Sequence, residues 1–247
     1  MSRSARKKSS SGIYHVMLRG INKQTIFEDD EDNERFLYTL TETRKVSGFE
    51  LYAYCLMGNH AHMLIRVLNE DLDRIFRRLG ASYVFWYNRK YGRTGHLFQD
   101  RYKSEVIEND RYFVAVLRYI HRNPIKAGMC KTPDEYKWSS YSEYVHGQSL
   151  VDCEYALSII GDSGFITLMN EQDDVECLEY RDERKRLSDG DVANEIERLL
   201  NVKAVMLQCE PPEKRNQLLT KALEIDGVTT RQLSRVTGVS ENIIWKL

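Results

Sequence analysis

Apolar positions change period several times along the first half of the chain, and each change predicts an element. Gly12–Ile21 (GIYHVMLRGI) sets β-branched and aromatic residues in partial alternation, the pattern of a strand with one buried face. From Asp29 to Ser47 the period lengthens to that of a helix, with Phe36, Leu37, Leu40 and Val46 as its apolar face. The acidic start DDEDNE suits the positive end of a helix dipole, and Gly48 is placed to end the helix. Phe49–Met57 (FELYAYCLM) and His60–Val67 (HAHMLIRV) read as strands again, and Gly58-Asn59 between them predicts a hairpin turn. Leu72–Tyr91 is a second helix, with Ile75, Leu79, Tyr83, Phe85 and Trp86 as its expected buried positions. Leu97–Ile107 (LFQDRYKSEVI) predicts a fourth strand, and Asp110–Lys126 a third helix capped by Asn109 or Asp110.

The order β-α-β-β-α-β-α predicts an α+β fold on the ferredoxin-like, split βαβ plan: an antiparallel sheet with helices on one face. Pro133 and the aromatic segment Tyr136–Tyr144 (YKWSSYSEY) close that domain, which we place at residues 11–147. The first ten residues, MSRSARKKSS, read as a basic flexible arm. Residues 148–188 become acidic and irregular, a linker with short helices, and residues 189–247 read as a small all-α region.

A chain of 247 residues with 42% hydrophobic content is long enough for one domain of about 150 residues and a smaller one. Its net charge of −1 conceals a division. Residues 1–140 carry 24 Lys and Arg against 17 Asp and Glu, a net of +7, and residues 141–247 carry 12 against 20, a net of −8. A basic front half is what phosphate-backbone binding requires. The five cysteines are odd in number, widely spaced and without a CxxC pair, which points to reduced thiols in a cytoplasmic protein. No apolar run approaches the ~20 residues of a membrane span, and no apolar stretch follows the basic arm as a secretory signal needs.

Three groups of residues suggest chemistry. His60-Ala61-His62 places two imidazoles on one face of a strand, where they can converge on a cation; two buried histidines satisfied by backbone groups are the plain alternative. On the third helix Tyr119 and Asn123 stand at i and i+4, on one face and one turn apart. Asn123 offers a carbonyl oxygen suited to a hard divalent cation, and Tyr119 a phenol able to attack phosphorus. Pro124 should bend or end the helix beside them; a core aromatic followed by a stop signal is the alternative. Tyr112, two turns earlier, is the reserve nucleophile. The third group is a set of polar and cationic side chains for nucleic acid: Arg19 and Lys23 after the first strand, Arg77 and Arg78 on the second helix, Arg101, Lys103 and Ser104 in the fourth strand, and Arg118 and Arg122 beside Tyr119. Aromatic residues interleave with them, as single-strand binding by stacking requires; a solvated charged face is the alternative.

Five separated blocks carry a resemblance: YHVMLRGINKQTIF (Tyr14–Phe27), AYCLMGNHAHMLI (Ala53–Ile65), GHLFQDRYKS (Gly95–Ser104), RYIHRNPIKAG (Arg118–Gly128) and WSSYSEY (Trp138–Tyr144). In this order they resemble the REP-associated tyrosine transposases, bacterial relatives of the single-tyrosine HUH transposases, over about residues 11–145. The resemblance implies an HUH nuclease in which His60, His62 and Asn123 hold Mg²⁺ or Mn²⁺ and Tyr119 attacks DNA, leaving a 5′-phosphotyrosine. A phenol has an ordinary pKa of about 10, and the metal or a cation such as Arg118 or Arg122 would assist it. Many relatives have Pro where this chain has Gly58. The implied function is a metal-dependent single-stranded DNA endonuclease and strand transferase acting on palindromic hairpins, as a monomer or homodimer. A DNA-binding protein or repressor that no longer turns over, and an unrelated metal hydrolase using HxH, are the competing readings.

In the tail, Gln232, Leu233, Val236, Val239 and Ile243 have the spacing of a helix-turn-helix, with Gly238 at the turn and Ser240 capping the second helix. A helical packing or dimerisation module is the alternative.

Overall fold

A computed structural model describes residues 7–147, 150–161, 164–171, 177–178, 187–225 and 227–247. The chain forms two compact units, Met1–Glu179 and Tyr180–Leu247. In the first, strands β1 (Ile13–Arg19), β2 (Glu50–Met57), β3 (His60–Arg66) and β4 (Lys103–Ile107) make one antiparallel sheet in the order β2-β3-β1-β4. With helices α1 (Asp30–Ser47) and α2 (Leu72–Lys90) between the strands, this is the ferredoxin-like arrangement.

Strand alternation sorts the core into two layers. Val16, Leu18, Leu56, Ala61, Met63 and Ile65 face α1 and α2, where Phe36, Leu40, Ile75, Leu79 and Tyr83 meet them. Both covering helices of the βαββαβ unit therefore lie on one face, as expected. The other face is closed by α3 (Asp110–Lys126), which follows that unit. Its stripe Phe113, Val116, Leu117, Ile120 packs on Tyr52, Cys55, Met57 and Leu64. Each such side chain contributes roughly 2 kcal/mol by leaving water. A bulge between Leu51 and Ala53 turns Tyr52 and Ala53 toward the same layer, and the Tyr52 and Phe113 rings meet edge to face at 5.2 Å.

Local chemistry explains the helix limits. Asp29 caps α1 in a reciprocal box with Asp32, and Gly48 ends it in the left-handed conformation. Asn109, rather than Asp110, caps α3, accepting from the Tyr112 amide at 2.8 Å. Pro124 sits inside the last turn of α3, which ends two residues later.

Several expectations are corrected. The ladder of the fourth strand covers only its second half, because Leu97–Gln99 instead crosses the end of β1, with Ile21 and Gln99 amides bonded to the Leu97 and Arg19 carbonyls. Val46 and Phe85 are exposed. The α2 stripe continues from Tyr83 to Tyr87 by the i+4 rule, which carries Phe85 to the opposite side of the helix. The boundary placed at residue 147 moves. Helices α4 (Tyr141–His146), α5 (Cys153–Ile160) and α6 (Gly164–Asn170) all belong to the first unit. Glu143 accepts from the Leu150 and Val151 amides and from Tyr54, while Asp152 takes the Leu51 amide and Arg44. Phe165 and Met169 enter the core beside α3. Most of the stretch that looked like a linker from 172 to 186 lies outside the described residues, as do residues 1–6 of the basic arm. Ser9 and Ser10 are held by Tyr14 and Glu108.

The second unit packs α7 (Asp189–Leu200), α8 (Pro212–Leu223), α9 (Thr230–Thr237) and α10 (Glu241–Ile244) around Val192, Ile196, Leu207, Leu219, Leu233 and Ile244. Gly238 turns between α9 and α10 with φ of 72°.

Gly20 fixes the loop that follows β1. A Cβ there would stand 2.1 Å from the Gln24 carbonyl oxygen and 2.9 Å from Ile26, whereas one on Gly58 meets nothing. Gly20→Ala should therefore lower unfolding stability by about 2 kcal/mol or more, and Gly58→Ala should change it little. Paired denaturation curves check this; equal curves would show that the loop adjusts freely.

Candidate nucleic-acid cleavage site

On the α3 side of the sheet, residues directly paired across antiparallel strands share a face. His62 pairs with Met17 and Cys55, and His60 with Arg19 and Met57. Lys103 pairs with Met17 from β4. The two histidines, Arg19 and Lys103 therefore lie in adjoining rows on the face that α3 covers.

Tyr119 leaves α3 beside its apolar stripe and reaches the histidines. Its ring centroid is 5.5 Å from that of His62 and 5.8 Å from that of His15, and the His60 and His62 rings are 5.0 Å apart. Asn123, one turn on, is buried, and its Nδ2 atom has no hydrogen-bond partner. The predicted set His60, His62, Tyr119 and Asn123 thus lies along one strand and the facing helix.

The loop after β1 braces this group. The Gly20 amide donates to the Asn59 carbonyl, Asn59 Nδ2 donates to the Lys23 carbonyl at 3.3 Å, and the Ile26 and Phe27 amides both donate to the Gly58 carbonyl. Asn59 Oδ1 in turn sits 2.6 Å from His60 Nδ1. Lys23 itself is exposed with φ of 62°.

Two residues of the site escaped the sequence reading. His15 is fully buried, with Nε2 2.9 Å from His62 Nδ1. Lys126 places its ammonium 5.5 Å from the Tyr119 ring centroid. The signal for Lys126 was its spacing, seven residues after Tyr119 and three after Asn123. For His15 no neighbouring histidine marked it.

Burial governs the charge state here. Loss of water holds His15 down to about 3. His62 lies well below its ordinary value, first through burial and then through His15, His60 and Lys126. Both are neutral imidazoles near pH 7, the form that ligates metal. Tyr112 is moved the other way: burial, then its hydrogen bond with Glu105, raises its phenol far above the usual range.

Among the described residues no three His, Cys, Asp or Glu side chains form a metal-binding group. A cation here would draw on the two imidazoles and an amide. The donor set fits one: both histidines are held through Nδ1, and Asn123 brings a buried side-chain amide whose oxygen can ligate a hard cation.

The other expected contacts divide. Arg118 is buried against Glu171 at 3.2 Å, and Arg122 donates to the Met169 carbonyl. Both bond to residues at the end of α6. Arg118 also borders a cavity of about 670 Å³ with Tyr112, Leu168 and Glu171. Arg77 and Arg78 ride on α2, behind the sheet, where Arg78 pairs with Glu70 at 2.7 Å. Arg101 pairs with Asp73 at 3.2 Å. Ser104 pairs with Val16 and so belongs to the α1–α2 face. In the tail, Gln232 and Leu233 are buried, with Gln232 donating to the Leu187 carbonyl, and Ser240 precedes α10 as its cap residue.

Residues 8–123 match the family model described as "Transposase IS200 like". Over these residues, just under half of its length, the chain is similar to the IS200-like transposases. It is also similar to the REP-associated tyrosine transposases. A Haemophilus influenzae protein assigned to them is 24% identical over 159 residues, 60% of this chain and 90% of that protein. The fold also matches the solved structure of a REP-associated tyrosine transposase bound to a REP hairpin. The TM-score is 0.52 and the identity 17%, over 72% of this chain and 99% of that one.

His121, also held down to about 3 by burial, and His15 should give acid sensitivity. Below pH 6.5 the unfolded imidazoles bind protons that the folded ones refuse, down to the folded value. Stability should thus fall as pH drops, by roughly 2 kcal/mol per histidine at pH 5. Denaturation midpoints of the full chain at pH 7.5 and 5.0 measure it; equal midpoints would mean that the folded histidines take up protons freely.

Proposed function

We propose that the first unit is a metal-dependent, single-tyrosine DNA nicking and joining enzyme of the HUH type. The observation that carries this reading is the contact of the Tyr119 ring with His62, 5.5 Å between centroids, with Asn123 one turn further along the same helix. His60, His62 and Asn123 would hold Mg²⁺ or Mn²⁺, for which the amide oxygen is a suitable ligand. Such an ion supplies positive charge that polarises a scissile phosphate and fixes its orientation.

Tyr119 is the nucleophile. Its phenolic oxygen forms a bond to phosphorus as the bond to the departing 3′ oxygen breaks, giving a 5′-phosphotyrosine and a free 3′-OH. The phosphoester count is unchanged, so the reverse attack rejoins strands without ATP. Lys126, Arg19 and Lys103 provide positive charge around the phosphate. The substrate is single-stranded or hairpin DNA, by extension from the solved relative bound to a REP hairpin. No helix among the described residues is long and apolar enough to cross a membrane, and a DNA-acting enzyme with free cysteines is at home in the cytoplasm.

For the second unit we favour a packing role over duplex reading. Helix α10 is a single turn, Arg235 is paired with Asp189 at 2.9 Å, and Arg231 lies 3.6 Å from Glu241. The two arginines of α9 thus already face carboxylates of the same unit.

Incubation with labelled hairpin single strands and Mn²⁺ should yield a protein–DNA conjugate on denaturing gels. Tyr119→Phe should abolish it, a loss of at least 10³-fold on the order expected for a missing nucleophile, while hairpin affinity stays near wild type. An adduct persisting in Tyr119→Phe removes the assignment. Hairpin binding without any adduct in the wild type would favour a DNA-binding protein that does not turn over. Deleting residues 187–247 should leave hairpin affinity within about threefold by gel shift, a difference under about 1 kcal/mol; a larger loss would restore the helix-turn-helix reading.

A further inference from the structure

We propose that His15 is a positioning residue for His62: it holds the His62 ring through Nδ1, so that Nε2 is presented as a bare lone pair to a divalent cation. This rests on the reading of His62 as a metal ligand and adds a residue to that site.

The position of His15 is the first argument. It alternates with Ile13 and Met17 on the inward face of β1 and is fully buried, where packing alone would select an aliphatic side chain. A buried imidazole costs free energy unless it has a partner. Its partner is His62, at 2.9 Å, reached diagonally across the β1–β3 ladder, where Met17 and not His15 stands opposite His62. Tilted rings with centroids 5.1 Å apart complete the contact.

Tautomers supply the second argument. Between two neutral imidazoles joined through one nitrogen each, one donates and the other accepts. If His62 binds a cation through Nε2, its proton must sit on Nδ1 and be donated to His15 Nε2. The His15 proton is then on its own Nδ1, a buried atom without a partner. The opposite assignment protonates His62 Nε2 and blocks the metal position. The pair therefore has one arrangement that binds a cation, and His15 supplies the acceptor it needs. His15 also touches the Tyr119 ring at 5.8 Å, so the same side chain borders both ligand and nucleophile.

The test is Mn²⁺ affinity of the full-length protein, read by electron paramagnetic resonance of free Mn²⁺, for wild type, His62→Ala, His15→Phe and His15→Gln. His15→Phe keeps the packing and removes the acceptor; its dissociation constant should rise about 10- to 100-fold. His15→Gln restores an acceptor near the Nε2 position and should stay within about fivefold of wild type, a recovery that a purely space-filling role does not predict. His15→Met replaces His15→Phe if circular dichroism shows the latter unfolded. Unchanged affinity in the apolar variant, with loss in His62→Ala, overturns the role of His15 and leaves the metal site standing. Affinity that is absent in wild type, or indifferent to His62→Ala, overturns the metal site and His15 with it.

Discussion

The packing of α3 on the uncovered face of the sheet is the contact on which the site depends. A ferredoxin-like unit closes only one side of its sheet with its own two helices, and a strand residue on the other side stays in water until something covers it. Phe113, Leu117 and Ile120 against Tyr52, Met57 and Leu64 supply that cover. Because Tyr119 and Asn123 flank this stripe on the same rigid helix, the register that buries Leu117 and Ile120 also fixes how far the phenol stands from His62. Helix and strand positions hold such a distance better than loops do.

The same cover sets the electrostatics. Removing water lowers His15, and removing water together with His15, His60 and Lys126 lowers His62, so both imidazoles stay neutral near pH 7. On the proposed reading, it also bears on which cations can meet a phosphate. Arg118 lies inside the helical layer and needs Glu171 beside it, whereas Arg19 and Lys103 extend from the edge rows of the sheet. A charge buried without a counter-ion would cost several kcal/mol, so only cations with access to solvent remain suited to meeting a phosphate.

What could be read from sequence was what local periodicity encodes. His60 and His62 share a strand face by their spacing of two, and Tyr119 and Asn123 share a helix face by their spacing of four; both pairs needed no tertiary information. The four strands and the order that makes the sheet followed from the same periodicities. His15 was illegible because its partner is 47 positions away, and only the β1–β3 register brings them together. Arg77, Arg78 and Ser104 were misplaced for a related reason. Composition gives a residue's polarity, but which side of the sheet α2 covers, and the parity of β4, are decided by pairing. Arg122 shows a third limit. Its rotation about α3 is readable, yet α6, the element it bonds, came from a stretch whose acidic composition looked like a linker.

The direction of α3 imposes a last constraint. Its C-terminal end, not its N-terminal end, lies at the site, since Asn123 and Lys126 are in the final turn. The aligned peptide dipoles place roughly half a negative charge there. That field attracts a cation toward Asn123 but opposes both an incoming phosphate and a developing phenolate. A helix entering the site the other way round would stabilise the phosphate by itself. On the proposed reading, the arrangement here favours the metal first, and positive charge for the DNA must then be supplied separately. Lys126, in the last turn and 5.5 Å from the Tyr119 ring centroid, is where the chain supplies it.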